Sequence, residues 1–136
     1  MVYSILLFAT RKPGTTPEQF KAYYEGVHMP LLREIAGPQF PLSHTRRYIH
    51  RSEGQAQDTT RNATTPAQVL LGSQADFDYD VIGELVFTDA AAFQTFMGLT
   101  HAPENAARVA ADEEKFLDRS QLRVVALGAT EVTKKE

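Results

Sequence analysis

Apolar and polar positions along the 136-residue chain change period from segment to segment, and those changes lay out its elements. Val2 to Thr10 (VYSILLFAT) is a run of β-formers closed by Lys12-Pro13-Gly14, which predicts a strand ended by a turn. Both faces of that strand are oily, as in a strand covered on two sides. The period then lengthens. Thr16, Pro17 and Gln19 supply a cap, a first-turn proline and a closing glutamine. Phe20, Tyr24, Val27, His28, Leu31 and Ile35 follow three and four apart, predicting a helix to about Ile35. Pro30 lies in its last turns, where a missing N–H and a ring clash predict a kink near Val27 to Met29, with His28 at the break. Gly37-Pro38 ends the helix.

Ser43 to Arg51 alternates as a second strand, with His44, Arg46, Tyr48 and His50 on one face and Thr45, Arg47, Ile49 and Arg51 on the other. Ser52 to Thr65 has no period and is expected to be a weakly ordered surface excursion, and Pro66 to Gly72 a short apolar segment that docks back. Tyr79 to Phe87 alternates as a third strand. Thr88 and Asp89 cap a short helix carrying Phe93, Phe96 and Met97, which Gly98 is expected to stop. Pro103 to Leu117 reads as a further helix, with Val109, Phe116 and Leu117 inside and Asp112 to Lys115 largely outside. Leu122 to Leu127 is a last strand, and Glu131 to Glu136 a charged tail expected to fray.

The resulting order, β-α-β, excursion, β-α-(α)-β, is the split pattern of an α+β, ferredoxin-like βαββαβ fold with a four-stranded antiparallel sheet. Helices cover one face of such a sheet. The other face also carries apolar residues, so a homodimer that closes two sheets into a dimeric α/β barrel is the simplest cover. Length and 43% apolar content fit one domain over residues 1–136. A net charge of −3 without a clustered basic face gives no reason to expect a nucleic-acid partner. The lack of cysteine excludes disulfides and thiolate sites. Val2 to Ala9 is too short to span a bilayer and lacks the flanks of a leader, so a cytoplasmic chain without a membrane partner is expected. Asn62-Ala63-Thr64 fits the glycosylation pattern, which without secretion is a chance match.

Chemistry concentrates in two places. An imidazole at His28, facing the sheet from a kinked helix, exchanges a proton near neutral pH, as enolisation, dehydration and ring-carbon protonation require; the alternative is a terminal histidine bonding the last carbonyls. Tyr24, one turn earlier, holds a substrate carbonyl or tunes His28, or is a core tyrosine. Phe20 and Tyr23 are packing or pocket wall. The polar strand face is costly if buried dry, so His44, Arg46, Tyr48 and His50 need partners, water or a ligand. Arg46 suits a two-pronged grip on a carboxylate or phenolate, or a network with Asp80 or Glu84, with Arg47 on the opposite face as the other candidate. Glu84, between Ile82 and Val86, is a buried acid or an arginine partner; Asp118 caps or pairs, and His101 stands where a helix is entered. The four histidines form no i,i+4 pair and have no carboxylate at ligand spacing, so no metal is expected. With no phosphate loop, dinucleotide fingerprint or nucleophile elbow, an enzyme here is left with cofactor-free acid and base work.

Four segments, RKPGTTPEQFKAYYEGVHMPLL, SHTRRYI, FDYDVIGELVF and DEEKFLDRS, together resemble the EthD-type members of the dimeric α/β-barrel superfamily. The likeness is greatest to fungal proteins found beside aromatic polyketide synthases, and it covers nearly all of the chain outside Gln55 to Pro66. It implies lyase or cyclase chemistry on polyketides without a cofactor; several fungal relatives are decarboxylases or dehydratases of anthraquinone-type intermediates. His28-Met29-Pro30 matches the family's pattern. The expectation is a dimeric lyase that holds a polycyclic phenolic polyketide between the first helix and the sheet. Phe20, Tyr24 and Leu31 would form its apolar wall, with His44, Arg46, His101 and Glu84 as further binding groups. His28 would move the proton, with Tyr24 or Tyr48 steadying an enolate. A cyclase or isomerase, and a non-catalytic binder of aromatic metabolites, are the alternatives.

Overall fold

A computed structural model describes residues 1–54 and 62–136. The centre of the sheet is β1 (Tyr3–Ala9), flanked by β3 (Val81–Phe87) and β4 (Arg123–Ala126), with β2 (Ser43–Tyr48) outside β3. The order β2-β3-β1-β4 is antiparallel at every pairing, which gives the ferredoxin-like arrangement expected from the sequence. Register decides which side chains share a face. Val124, Leu7, Gly83 and Arg46 form one row across the sheet, and Val125, Leu6, Glu84 and Thr45 form the next, on the opposite face.

The helices lie over the face that carries Ile5, Ala9, Val81, Leu85 and Phe87, all buried. They are α1 (Pro17–Tyr23), α2 (Met29–Ala36), α3 (Ala90–Thr100) and α4 (Pro103–Glu113). Two apolar clusters result, one around Phe20, Tyr24, Met29 and Phe116, the other around Ile5, Leu85, Phe87 and Phe96. The opposite face stays open: Leu6, Phe8, Ile82 and Val86 are half-buried, and Val125 is 51% exposed. No helix among the described residues is long and apolar enough to cross a membrane.

Thr16 and Gln19 close the expected capping box, each side chain accepting from the other's backbone N–H. The kink takes a different form from a simple break. Tyr24–His28 is one π-helical turn, in which the Met29 N–H reaches back five residues to the Tyr24 carbonyl. Pro30 has no N–H to donate and its ring crowds the preceding turn; a widened turn makes room for it without ending the helix.

Gly98 does not stop α3, which runs on to Thr100. A glycine weakens a helix interior by about 1 kcal/mol against alanine and does not by itself terminate it. The helix ends where Pro103 opens α4 and the Asn105 side chain takes the Leu99 carbonyl. The second strand stops at Tyr48, so His50 lies beyond it and is exposed. Pro66 to Gly72 docks at its start, where Ala67 is buried and bridged to Arg51, the Pro66 carbonyl accepts from Ser52 and the Gln68 N–H donates to the His50 carbonyl, while Leu70 and Leu71 stand exposed.

Residues 55–61 of the excursion lie outside the described residues, but its far end is firmly held. Asn62 is buried, accepting from Arg11 and donating to the Asp78 carboxylate at 2.7 Å, which leaves no room for a glycan. Asp80 receives Arg11 at 2.6 Å and Arg51 at 2.8 Å, both guanidinium groups being almost fully enclosed.

Removing a carboxylate that two enclosed cations share leaves them uncompensated, so Asp80→Ala is expected to lower unfolding free energy by about 3–5 kcal/mol in urea titrations. Gly98→Ala, where an added Cβ meets open space, is expected to raise it by about 0.5–1 kcal/mol in the same measurement.

Candidate active site

Between the helices and the sheet lies a cleft of about 300 Å³. Ile5, Leu7, Leu32, Leu85, Phe96 and Val109 supply much of its wall, and Tyr24, His28, His44, Thr100, His101, Glu113 and Arg119 are its polar groups. A largely oily cleft with a few convergent polar groups is the usual form of a small-molecule site.

The π turn determines which residues of the first helix reach the cleft. With one residue added to the turn, successive i+4 positions stay in line, so Phe20, Tyr24, His28, Leu32 and Ala36 run down the inner side. Three- and four-residue spacing had placed Val27 and Leu31 there. Val27 is instead 45% exposed, and Leu32, not Leu31, lines the cleft. Phe20 is on the inner line yet enclosed in the core against Phe116 and Tyr48, and so forms no part of the wall.

His28 is 4% exposed, its ring against Phe116 and edge-on to Tyr24. Its Nδ1 lies 2.8 Å from Asp112 Oδ2, and Tyr23 donates its hydroxyl to Oδ1 of the same carboxylate at 2.5 Å. A carboxylate can only accept, so Nδ1 carries the proton in this contact and Nε2 is the nitrogen left for chemistry. Burial and the Asp112 carboxylate push the Tyr23 phenol up to about 12, which keeps it a donor.

Asp112 corrects the expectation that residues 112–115 face outward: it is 8% exposed. Its position three after Val109 and four before Phe116 puts it on the inner stripe of α4, a signal present in the sequence but outweighed by the acidic run around it. Glu113, also taken as outward, lines the cleft and meets Arg119 at 3.2 Å.

The polar face of β2 divides. His44 reaches the cleft, but Arg46 and Tyr48 do not line it. Both engage Glu25 of the π turn: Arg46 donates through Nε at 2.6 Å and a terminal nitrogen at 2.7 Å, and the Tyr48 hydroxyl donates at 2.5 Å. Arg46 therefore makes its two-pronged bond to an internal carboxylate from the helix, not to Asp80 or Glu84. Tyr48, a candidate for steadying an enolate, has its proton committed, and burial together with Glu25 raises its pKa well above the ordinary range. The Arg46 bonds hold Glu25 down to about 2, with help from Tyr48.

Glu84 is opposite Leu6 and Thr45 on the open face, away from the cleft, because β3 turns every second residue from the helices. Arg47 is exposed on that same face. His101 lines the cleft from the end of α3, its Nδ1 2.9 Å from the Met97 carbonyl. Asp118 caps a short turn through Ser120.

The EthD domain pattern matches residues 12–120, which take in α1, the π turn, both sides of the cleft and Asp112. This chain belongs to the EthD family. Solved structures similar to this EthD chain include an ethyl tert-butyl ether D (EthD) family protein from Bacillus halodurans, 16% identical, covering 96% of this chain and 100% of that one at a TM-score of 0.57. An Arabidopsis thaliana protein is 17% identical, covering 97% and 99% at 0.56. An EthD-like protein from Ralstonia eutropha is 15% identical, covering 93% and 87% at 0.51. At these identities the likeness is one of fold. No curated protein sequence matches the chain.

A carboxylate whose pKa is lowered on folding adds stability that is complete above its unfolded value and lost as pH falls through its folded value. For Glu25 that window runs from 4.5 down to about 2. Glu25→Gln is therefore expected to melt slightly below the parent at neutral pH, the exposure of this pair keeping the difference small. The two melting curves should converge as pH falls through the window, as followed by circular dichroism.

Proposed function

We propose that this EthD chain is a lyase that decarboxylates or dehydrates an aromatic polyketide intermediate using its own side chains for proton transfer, and that it resembles the fungal polyketide-pathway members in this. The observation that carries the reading is the His28–Asp112 contact at the wall of an oily cleft. An imidazole with Nδ1 fixed by a buried carboxylate has one tautomer and one free nitrogen, the arrangement a general acid or base needs. Tyr23 holds the carboxylate in place from its other oxygen.

At about 300 Å³ the cleft is at the small end of ligand sites and suits a compact fused-ring phenol more than an extended chain. In decarboxylation, the C–C bond to the carboxylate breaks, its electron pair passes to the ring as an enolate, and protonated His28 Nε2 delivers a proton to that carbon. In dehydration, neutral Nε2 removes a proton from carbon, the C–H electron pair forms the new double bond, and the imidazolium returns that proton to the hydroxyl on the neighbouring carbon, which leaves as water. Tyr24, edge-on to His28, steadies the enolate oxygen. We infer a homodimer as well, because Leu6, Phe8, Ile82, Val86 and Val125 give the open sheet face an apolar surface that a second copy would cover.

Mass spectrometry of anthraquinone-type precursors incubated with the protein distinguishes loss of carbon dioxide, loss of water and no change. His28→Ala is expected to reduce turnover roughly 10²–10⁴-fold while staying folded, and Asp112→Asn to reduce it by at least about tenfold by freeing the tautomer. Parental turnover by folded His28→Ala would end the reading. Sedimentation velocity should give a dimer that Val125→Asp weakens.

A further inference from the structure

His44 is set apart from the other polar groups of the cleft. Among the described residues its Nδ1 is the buried side-chain polar atom without a hydrogen-bond partner. Its other nitrogen, Nε2, lies 3.5 Å from the Tyr24 hydroxyl, and both residues line the cleft. A buried N–H without an acceptor costs more than a bare lone pair, so the proton of a neutral ring belongs on Nε2. Tyr24 oxygen then faces a donor, and its own hydroxyl proton remains free for a third group.

At 3.5 Å the two are too far apart for a strong bond to each other. That spacing suits a different acceptor, since an oxygen sitting against both takes a bond of ordinary length from each. We propose that the Nε2–H of His44 and the hydroxyl of Tyr24 form a two-donor site for the anionic enolate or phenolate oxygen of the substrate. The proposal deepens the lyase reading, and rests on it, by naming where the negative charge of the intermediate goes. Gly83 belongs to the same device. A Cβ there would lie 3.4 Å from His44 Nε2 and 3.3 Å from Leu7 Cδ2, so the ring packs directly over the bare backbone of Gly83.

The surroundings keep both donors uncharged at neutral pH. Burial, then the positive charges of Arg46 and His28, pull the His44 imidazole down to about 4 against a weaker opposing pull from Glu25. Burial raises the Tyr24 phenol, Arg46 opposing and Glu113 and Glu25 adding to it. A neutral imidazole donates one hydrogen bond without giving up its proton, which suits a group that must stabilise charge and leave proton transfer to His28.

The test is binding of naphthols of graded acidity, read by absorbance and fluorescence, because it requires no turnover. The parent chain is expected to bind the more acidic naphthols more tightly and to hold them as naphtholates. His44→Leu is expected to weaken naphtholate binding roughly 10–100-fold, as loss of a hydrogen bond to a charged group does. His44→Gln, which keeps an N–H, should recover part of that loss. Nitrogen NMR of the parent chain should find the His44 proton on Nε2. Failure of the parent to bind naphtholate, equal affinity in folded His44→Leu, or a proton on Nδ1 would each overturn the proposal. If these binding results hold while His28→Ala turns over normally, the lyase reading fails and the anion site stands.

Discussion

The Met29 N–H bonds to the carbonyl five residues back, at Tyr24, and the aim of the helical half of the site follows from that bond. In an unbroken α-helix, residues four apart drift round the axis, and Tyr24, His28 and Leu32 would fan across a wide arc. The inserted residue removes the drift. A phenol, an imidazole and a leucine then project in line over the sheet, and His28 arrives where Asp112 of α4 receives it. Pro30 is the chemical reason for the wide turn, and the Thr16–Gln19 box fixes where the helix that carries it begins.

Charge is handled by pairing, near the sheet and at the cleft alike. Glu25 and Arg46 neutralise each other at the end of the π turn, and Asp80 is shared by Arg11 and Arg51 below α1. The Asp80 group is the buried one, and its several hydrogen bonds offset a burial that would otherwise be costly. In the cleft His28 meets Asp112, Tyr24 lies near His44, and Glu113 and Arg119 pair with each other. The two imidazoles sit in different surroundings, His28 against the Asp112 carboxylate and His44 buried beside Arg46, where burial first and then that charge pull its pKa down.

Architecture was legible along the chain because it depends on local patterns. The alternation of Tyr79 to Phe87, the cap at Thr16 and the proline at the head of the last long helix each act within a few residues, and together they specify strand, helix and order. His28 and Tyr24 were legible for the same reason, as polar groups on an apolar stripe. Local rules misled at Gly98, which reads as a stop but is tolerated within α3; at Pro30 they placed an irregularity in a continuing helix but not its form, a π turn over Tyr24–His28.

By itself the sequence determined the α+β ferredoxin-like order, the oily faces of the sheet and the imidazole from which the functional reading starts. Only the tertiary structure decided the partners. Asp112 is 84 residues from His28, so no periodicity along the chain connects them; the packing of α4 against the first helix does. It likewise decided that Arg46 and Tyr48 bind Glu25, that Glu84 faces away from the cleft, and that Leu32 replaces Leu31 in its wall. The physical reason is the same in each case. A pattern fixes which face of an element is buried, whereas the group that meets a side chain there depends on register and on one-residue changes of helical phase, which are set by packing between elements distant in sequence.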